Sequence, residues 1–225
     1  MKYYPIFLDV TERPCLVVGG GSVGTRKALG LAKANARVRV VSLEFSQALA
    51  DISSENICLD KKPFDSGDLN GAALVFAATD SEALNARVRE AARQAGVLCN
   101  IADGKDKGDF ILPSVVNRGD LQVAVSTSGA SPALAKKLGR ELGILFGPEY
   151  ETMLTLMANI REKMLAKGHD PEGHRNVFTA LADQDLPALI AAGNTKEIDA
   201  VLARLLGQGF TFEGLASRAP SNQEQ

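Results

Sequence analysis

Short apolar runs alternate with amphipathic stretches along the N-terminal half of the chain. The apolar runs stand at 5–10, 15–18, 36–41, 57–59, 73–78 and 97–102, the first of them predicted as an edge strand. Helical patterns occupy 25–34, 45–52 and 81–95. Strand and helix that alternate in this way predict an α/β fold of the Rossmann-like class, with a doubly wound parallel sheet. Ligands of such sheets bind beyond the carboxyl ends of the strands.

The pattern changes after residue 110. Apolar runs at 110–114 and 121–126 are joined through 117–120, and this connection is too short for a crossover helix. The two runs therefore predict an antiparallel pair. Ser131 followed by Pro132 is typical of a helix start, since serine caps the first turn and proline fits inside it. The apolar positions of that helix are Leu134, Leu138 and Leu142.

The rest of the chain is predicted to be helical. The helical patterns lie at 150–167, 176–182, 186–192 and 195–206. The organisation predicted from these patterns is a nucleotide-binding domain at 1–113, a small α+β segment at 114–148, a helical domain at 149–216 and a frayed tail at 217–225.

Three glycines between the first internal strand and its helix carry the main chemical signal. Gly19, Gly21 and Gly24 fall as G-x-G-x-x-G, which is the dinucleotide-binding fingerprint. One glycine makes the tight turn, the next lets a pyrophosphate approach the backbone, and the last lets helix and strand pack closely. The N–H groups at the helix N-terminus, where Ser22 stands, then face the phosphates. The alternative is a glycine turn that only closes an α/β unit; the second strand, at the spacing of one βαβ unit, favours the nucleotide. Thr79, which follows the apolar run at 73–78, is predicted at the same rim.

The position that usually binds the ribose departs from the fingerprint. An acidic residue is expected just after the second strand, and Ser42-Leu43-Glu44 stands there instead. Glu44 and Ser42 are the alternative ribose partners. The residues therefore predict a nicotinamide dinucleotide and leave NAD and NADP both open.

Composition narrows the class of protein. The chain has 25 basic and 27 acidic side chains, so it carries no excess of positive charge that would attract nucleic acid. It has no Trp, which argues against a surface on which bases stack. No apolar run is long enough to cross a bilayer, and the N-terminus lacks a signal-peptide pattern, so we expect no membrane partner and a cytoplasmic location.

The cysteines and histidines predict no metal site. Cys15, Cys58 and Cys99 are widely spaced and lie in or beside strand-like runs, which predicts small buried hydrophobes. His169 and His174 flank a turn-rich stretch and are predicted to be exposed loop residues.

Six motifs then recur in a fixed order and suggest a family. They are Tyr4–Leu8 (YPIFL), Val17–Lys27 (VVGGGSVGTRK), Ala77–Asp80 (AATD), Asn100–Asp103 (NIAD), Phe110–Ser114 (FILPS) and Val123–Pro132 (VAVSTSGASP). Together they resemble the precorrin-2 dehydrogenases, including those that form the N-terminal half of multifunctional sirohaem synthases. The match covers roughly the first two-thirds of the chain, and ordered motifs are more specific than any single one. The chain stops before a methyltransferase half could follow, so we expect none.

The resemblance implies a reaction and a set of site residues. The reaction is oxidation of precorrin-2 to sirohydrochlorin with NAD, and some relatives also insert ferrous iron into the product as a second substrate. Members are similar in forming interlocked homodimers through the segment after the nucleotide domain, here 114–148. The positions implied by the motifs are Asp103 for the key carboxylate, Ser22, Val23, Leu43 and Glu44 for nucleotide contacts, and Ser128 for a substrate-side loop. Asn100, in the motif of Asp103, is a further substrate candidate.

The chemistry gives Asp103 a role that fits this position. Dehydrogenation of a tetrapyrrole sends a hydride to the nicotinamide and a proton to a base, and a carboxylate after a strand is well placed as that base. From the residues alone, a turn aspartate before Gly104 is an equally good interpretation. The substrate carries many carboxylates, so Lys105 and Arg118 are candidate partners, with a solvated surface as their alternative. The hydroxyl-rich loop 126–131 before a helix start is a stronger anion candidate.

Two other functions remain open on the sequence. One is a non-catalytic NAD-sensing regulatory module, which would bind the nucleotide without turnover. The other is a dehydrogenase for a smaller substrate, in which the chain from Phe110 onward would form a compact pocket.

Overall fold

The computed structural model describes residues 2–52, 54–102, 108–168 and 170–217. The chain divides into two compact units, Met1–Leu112 and Pro113–Gln225. In the first unit the elements are β1 (Pro14–Gly20), α1 (Ser22–Lys33), β2 (Arg37–Phe45), α2 (Gln47–Ala50), β3 (Ile57–Lys61), a 3₁₀ turn (Ser66–Leu69), β4 (Leu74–Ala77), α3 (Glu82–Ala95) and β5 (Leu98–Ile101). In the second they are β6 (Ser114–Arg118), β7 (Leu121–Val125), α4 (Pro132–Leu145), α5 (Glu149–Lys167), α6 (Pro171–Ala182), α7 (Leu186–Ala191), α8 (Thr195–Leu206) and α9 (Phe212–Leu215). The finer division of 114–216 stays a prediction.

The first unit is built on a five-stranded sheet in the order β3-β2-β1-β4-β5, and the paired strands are parallel. Side chains of β1 alternate between two buried clusters, with Cys15 and Val17 in one and Leu16 and Val18 in the other. Helix α1 packs into the first cluster and α3 into the second. Helices therefore cover both faces, and the predicted doubly wound α/β fold is confirmed.

The prediction of an edge strand at 5–10 is wrong. These residues pair with no strand of the described chain, and Ile6 and Phe7 are 65% and 67% exposed, while Val10 is buried. An apolar run shows that burial would be favourable, but a strand also needs a neighbour that accepts its backbone hydrogen bonds. The sheet ends at β3 and β5, and neither takes this segment.

The antiparallel pair is confirmed, but its first strand begins at Ser114 rather than at Phe110. The ring of Phe110 packs edge-on against Phe76 of β4, with the ring centroids 5.5 Å apart, inside the first unit. Gly119, with φ +60°, turns the chain so that Arg118 pairs with Leu121. The apolar run at 110–114 therefore has two parts: Phe110 packs in the core of the first unit, and Ser114 begins a strand of the second.

Helix α4 packs on the β6–β7 hairpin through small residues. Ala135 and Gly139 are its buried positions, and a Cβ added at Gly139 would collide with the Ser114 hydroxyl. Of the predicted apolar positions, Leu134 is 46% exposed, while Leu138 and Leu142 are half-buried. Glycine and alanine allow the helix backbone to approach the hairpin, so this face carries the close contact.

The remaining helices enclose a separate core in the second unit, and its fully buried members are Leu156, Ile160, Leu181, Leu186, Ile198 and Leu202. His174 lies inside α6 rather than in a loop, because Asp170 accepts from the Gly173 N–H and starts the helix at Pro171. His169 lies outside the described residues. Among the cysteines, Cys15 and Cys99 are buried as predicted, and Cys58 is exposed on the edge strand β3.

Candidate nucleotide and substrate site

The glycine turn between β1 and α1 depends on two close backbone approaches. Gly19 has φ +117°, and a Cβ there would collide with the carbonyl of Ala78, at the end of β4. A Cβ at Gly24 would collide with the carbonyl of Gly19. Both positions therefore require glycine in this backbone, the first for the turn and the last for the packing of α1 on β1.

The middle glycine leaves open space where a phosphate would sit. A Cβ at Gly21 would meet no atom within 4 Å, and Gly21 is the N-cap of α1. No side chain of the described residues caps this helix, and its first turn carries no acidic residue. The amides of Ser22 and Val23, with the helix dipole, thus form an anion site of the kind that binds a pyrophosphate. This geometry fits a dinucleotide.

Two hydroxyl groups that the sequence patterns did not single out hold the turn. Thr25, 7% exposed, donates its Oγ1 hydrogen to the Gly21 carbonyl at 2.9 Å, and the same oxygen lies 2.9 Å from Ser46 Oγ. The Ser46 N–H donates to the Gly20 carbonyl at 2.8 Å. The turn is therefore joined to the end of β2. The available signal was a threonine in an otherwise apolar helix face.

The predicted ribose residues lie within β2 rather than after it. The strand continues to Phe45, which pairs with Gly20 across a register shift. Ser42, Leu43 and Glu44 are therefore residues of the strand end beside the glycine turn, and Leu43 and Glu44 are exposed. The extension escaped prediction because its pairing partner is the glycine turn, which has no apolar pattern.

Thr79 lies at the same edge, held by a buried amide. Asn85 of α3 accepts from the Thr79 N–H at 3.2 Å and from Thr79 Oγ1 at 2.7 Å, and it donates to the Thr79 carbonyl at 2.9 Å. The Thr79 nitrogen is 3.1 Å from the position that a Cβ of Gly19 would take. The structure thus brings the glycine turn, the end of β2 and Thr79 together at the carboxyl edge of the sheet.

Asp103 and Lys105 lie outside the described residues, but the described residues before and after them are bonded to the sheet, at β4 and at β5. Before them, the Ala102 N–H donates to the Ala77 carbonyl at 2.9 Å. After them, the Asp109 carboxylate accepts from the Cys99 N–H at 2.9 Å. Asn100, 4% exposed, donates to the Phe110 carbonyl at 2.8 Å. The buried Asn100 therefore holds the chain at Phe110 against β5.

The buried thiol of Cys99 is unreactive. Desolvation, with the neighbouring Asp109 charge, raises the pKa of Cys99 to about 11, while Arg89 acts in the opposite direction. A thiol with this pKa stays protonated at neutral pH and is a poor nucleophile.

In the second unit, the loop before α4 has strained backbone at the predicted substrate serine. Ser128 is exposed with φ +53°, and its N–H donates to Ser126 Oγ at 3.0 Å. Thr127 Oγ1 accepts from the Ser131 N–H at 3.0 Å, and Ser131 Oγ accepts from the Leu134 N–H at 3.2 Å. The hydroxyls of this loop thus support its own backbone and the start of α4.

Arg118, a predicted substrate cation, is engaged with the end of α4. Its guanidinium donates to the carbonyls of Gly143 at 2.8 Å, Phe146 at 2.9 Å and Asn117 at 2.9 Å. A cation at a helix C-terminus satisfies carbonyls that have no intrahelical partner and complements the dipole. The structure gives Arg118 this architectural role.

Within the described residues, no group of three or more His, Cys, Asp or Glu is arranged to hold a metal ion. No helix in the same part of the chain is long and apolar enough to span a bilayer.

Comparisons with known proteins agree with this geometry. Residues 6–114 match a family described as putative NAD(P)-binding, and residues 118–143 match the sirohaem biosynthesis protein central family. A siroheme synthase of Photobacterium profundum is 36% identical over 206 residues, which cover 91% of this chain and 44% of that protein. A siroheme synthase of Methylococcus capsulatus is 34% identical over 203 residues, 90% of this chain and 43% of that protein. The chain therefore spans less than half the length of these relatives.

A solved structure described as SirC, precorrin-2 dehydrogenase, shares the fold. It superposes with a TM-score of 0.73 over 88% of this chain and 98% of that one, at 23% sequence identity. Residues 6–114 thus belong to the NAD(P)-binding family and residues 118–143 to the sirohaem biosynthesis central family, and the chain carries these two regions in this order.

Proposed function

We propose that this protein is a precorrin-2 dehydrogenase that oxidises precorrin-2 to sirohydrochlorin with NAD, and that it acts in the cytoplasm. The observation that carries the proposal is the glycine turn: the space beside Gly21 is empty and no side chain caps the N-terminus of α1, so a pyrophosphate fits there. The chain is also similar to siroheme synthases. A nucleotide-sensing module would share this turn, so turnover is the property that separates the two.

Each group of residues around the turn would bind a different part of the nucleotide. The amides of Ser22 and Val23 bind the pyrophosphate, and Glu44 accepts from a ribose hydroxyl at the end of β2. An exposed carboxylate there would repel the 2′-phosphate of NADP, which favours NAD. Thr79 lies on the opposite side of Gly19 from β2, at the end of β4.

The oxidation converts a CH–CH unit of the tetrapyrrole into a C=C bond. When bound, the nicotinamide supplies the acceptor for the hydride. The Asp103 carboxylate takes the proton that leaves the adjacent atom and later releases it to water. Asp103 is proposed for this role because it follows Ala102 in the sequence, and the Ala102 N–H donates to the Ala77 carbonyl at the end of β4.

The carboxylates of the substrate need cationic or amide partners. The N-terminus of α4, with the loop 126–131, is the better candidate, since backbone amides at a helix start bind anions. Ser128 and Lys105 stay proposed substrate residues, and Asn100 is a weaker one, because it is 4% exposed and its amide donates to the Phe110 carbonyl. Arg118 is the weaker candidate, because its guanidinium already donates to three carbonyls.

The proposal is tested by turnover. Purified protein with NAD and precorrin-2 should produce NADH and sirohydrochlorin together, in equal amounts, as followed by absorbance. A control without NAD corrects for air oxidation of the substrate. Nucleotide binding without turnover would favour the sensing module, and turnover of a smaller hydroxy or amino substrate instead would favour the third function. Ferrous iron added to sirohydrochlorin, against a control without protein, tests iron insertion.

We also propose that the protein acts as a homodimer through 114–148. The hairpin is a two-stranded sheet, which is rarely stable alone, and apolar side chains around it are exposed. Val115 of β6 is 52% exposed, and Ile144 and Leu145 of α4 are 84% and 64% exposed. Exposed apolar side chains clustered on one segment are typical of a protein interface.

The variant Ile144→Glu should shift the protein from dimer to monomer. A charge introduced into an apolar interface loses its hydration without gaining a partner, so we expect the dimer dissociation constant to rise by about 100-fold or more. Light scattering across a dilution series measures the change. The matched control is Leu29→Glu, on α1 at 38% exposure, which should leave the mass unchanged. A wild-type monomer at all concentrations would contradict the proposal.

A further inference from the structure

One buried polar side chain interrupts the apolar stripe of α3. The helix faces the core with Asn85, Val88 and Ala92, which follow one another at helical spacing. Val88 and Ala92 are fully buried and belong to the cluster on that face of the sheet, and Asn85 is 5% exposed. An amide costs free energy when it leaves water, so a buried asparagine needs a compensating set of hydrogen bonds.

All the described hydrogen bonds of this amide go to one residue. The Asn85 oxygen accepts from the Thr79 N–H and from Thr79 Oγ1, and the Asn85 nitrogen donates to the Thr79 carbonyl. The amide therefore fixes the peptide groups on both sides of Thr79 as well as its side chain. Such a fully satisfied buried contact specifies one backbone conformation strongly.

Neither helix capping nor core packing accounts for Asn85. The N-terminus of α3 is already capped by Ser81, whose Oγ accepts from the Leu84 N–H at 3.2 Å. A leucine at position 85 would continue the stripe without the cost of burying an amide. The property that only the amide supplies is the fixed position of Thr79.

Thr79 in turn forms one wall of the glycine turn. The Thr79 nitrogen is 3.1 Å from the position that a Cβ on Gly19 would take, so the loop after β4 and the turn after β1 are in backbone contact. A shift of this loop by a fraction of an ångström would change the space beside the turn.

We propose that Asn85 is a positioning residue for the dinucleotide: it holds the β4–α3 loop against the glycine turn and thereby sets the affinity for NAD. The inference rests on the NAD site of the proposed function and adds a residue that contacts the loop rather than the nucleotide.

The variant Asn85→Leu tests this role through nucleotide affinity. Calorimetric titration of the full chain should give a dissociation constant for NAD about tenfold higher than that of the wild type, because three bonds to the loop are lost. In turnover assays, the KM for NAD should rise by a similar factor, with kcat at saturating NAD within about threefold of wild type. The matched control is Val88→Ala, which removes buried packing one turn along the same helix and should leave NAD affinity within about twofold.

A double-mutant cycle separates positioning from general destabilisation. If Asn85 acts through Thr79, the effects of Asn85→Leu and Thr79→Val on NAD affinity should be strongly non-additive, and the double variant should bind about as weakly as the weaker single variant. Asn85→Asp, which turns a carboxylate oxygen toward the Thr79 carbonyl in place of the donor, should weaken NAD binding at least as much as Asn85→Leu.

The outcomes distinguish this inference from the proposed function. If the wild type binds NAD without oxidising precorrin-2, the dehydrogenase proposal fails. The positioning role is still supported in that case if Asn85→Leu binds NAD more weakly than the wild type does. A lowered unfolding midpoint for folded Asn85→Leu with NAD affinity unchanged overturns the positioning role, whatever the turnover result. Equal loss of affinity in Val88→Ala overturns it as well.

Discussion

Asp103→Asn should bind NAD as tightly as the wild type and oxidise precorrin-2 about 100-fold more slowly or worse. The substitution keeps the size of the side chain and removes the base, and a positioned general base typically contributes 10²- to 10⁴-fold. Nucleotide contacts are proposed at the glycine turn and the end of β2, so affinity should not change. Single-turnover NADH formation measures the rate, and calorimetry measures the affinity.

The pH profile of the same variant provides a second readout. The wild-type rate should fall on the acid side as the base becomes protonated, and Asp103→Asn should lack this acid limb. Asp106→Asn, a carboxylate removed from the same segment of the chain, is the matched control and should keep normal turnover. Turnover of Asp103→Asn within a few-fold of wild type would remove Asp103 from the mechanism.

Asp68→Asn should destabilise the first unit by about 2 to 3 kcal/mol at neutral pH. Asp68 is buried, and its carboxylate accepts from Lys62 Nζ at 2.6 Å, from Arg39 Nη1 at 3.0 Å and from the Asp65 N–H at 2.9 Å. It joins the 3₁₀ turn to the edge of the sheet at β2 and β3. The loss stays below the range for fully buried pairs, because the Arg39 and Lys62 side chains are each more than a third exposed.

The loss should depend on pH in a defined direction. Desolvation raises the pKa of Asp68, but the hydrogen bond from Lys62, the bond from the Asp65 N–H and the charges of Lys62 and Arg39 together lower it below 3.8. A carboxyl with a lowered folded-state pKa contributes stability that is complete above the unfolded value and is lost as pH falls through the folded value. The difference between wild type and Asp68→Asn should therefore be constant above about pH 5 and shrink below about pH 4.

Urea unfolding followed by circular dichroism at several pH values measures this difference. The chain has two compact units, so the relevant transition is the one that added NAD shifts to higher urea. The matched control is Glu90→Gln, which removes an exposed carboxylate paired with Arg93 at 2.7 Å and should leave the midpoint unchanged. Hydrogen bonds from Arg93 and Gln94 lower the pKa of Glu90, but both partners of this pair are exposed and solvent screens their charges, so little stability depends on it. An Asp68→Asn midpoint equal to that of wild type would contradict the prediction.

The amino-acid sequence by itself determined the class of fold and the location of the nucleotide site. Alternating strand and helix patterns, with a continuous apolar run at β4, indicate a parallel sheet covered on both faces. Gly19 and Gly24 were predictable from the G-x-G-x-x-G spacing that follows the strand pattern. The periodicity and this spacing are local signals, although the Ala78 carbonyl that excludes a Cβ at Gly19 lies far along the chain.

The tertiary structure alone decided which partner each segment meets. Phe110 belongs to the core of the first unit because Phe76 lies there, although its run resembled a strand. Ser42 to Glu44 stay in β2 because the strand pairs with the glycine turn. Thr79 lies against the glycine turn at Gly19, and Arg118 bonds to the end of α4. Periodicity reports that a side chain is buried or that a cation is present, but hydrogen bonds and packing depend on residues that are distant in the chain, and only the folded coordinates bring those residues together.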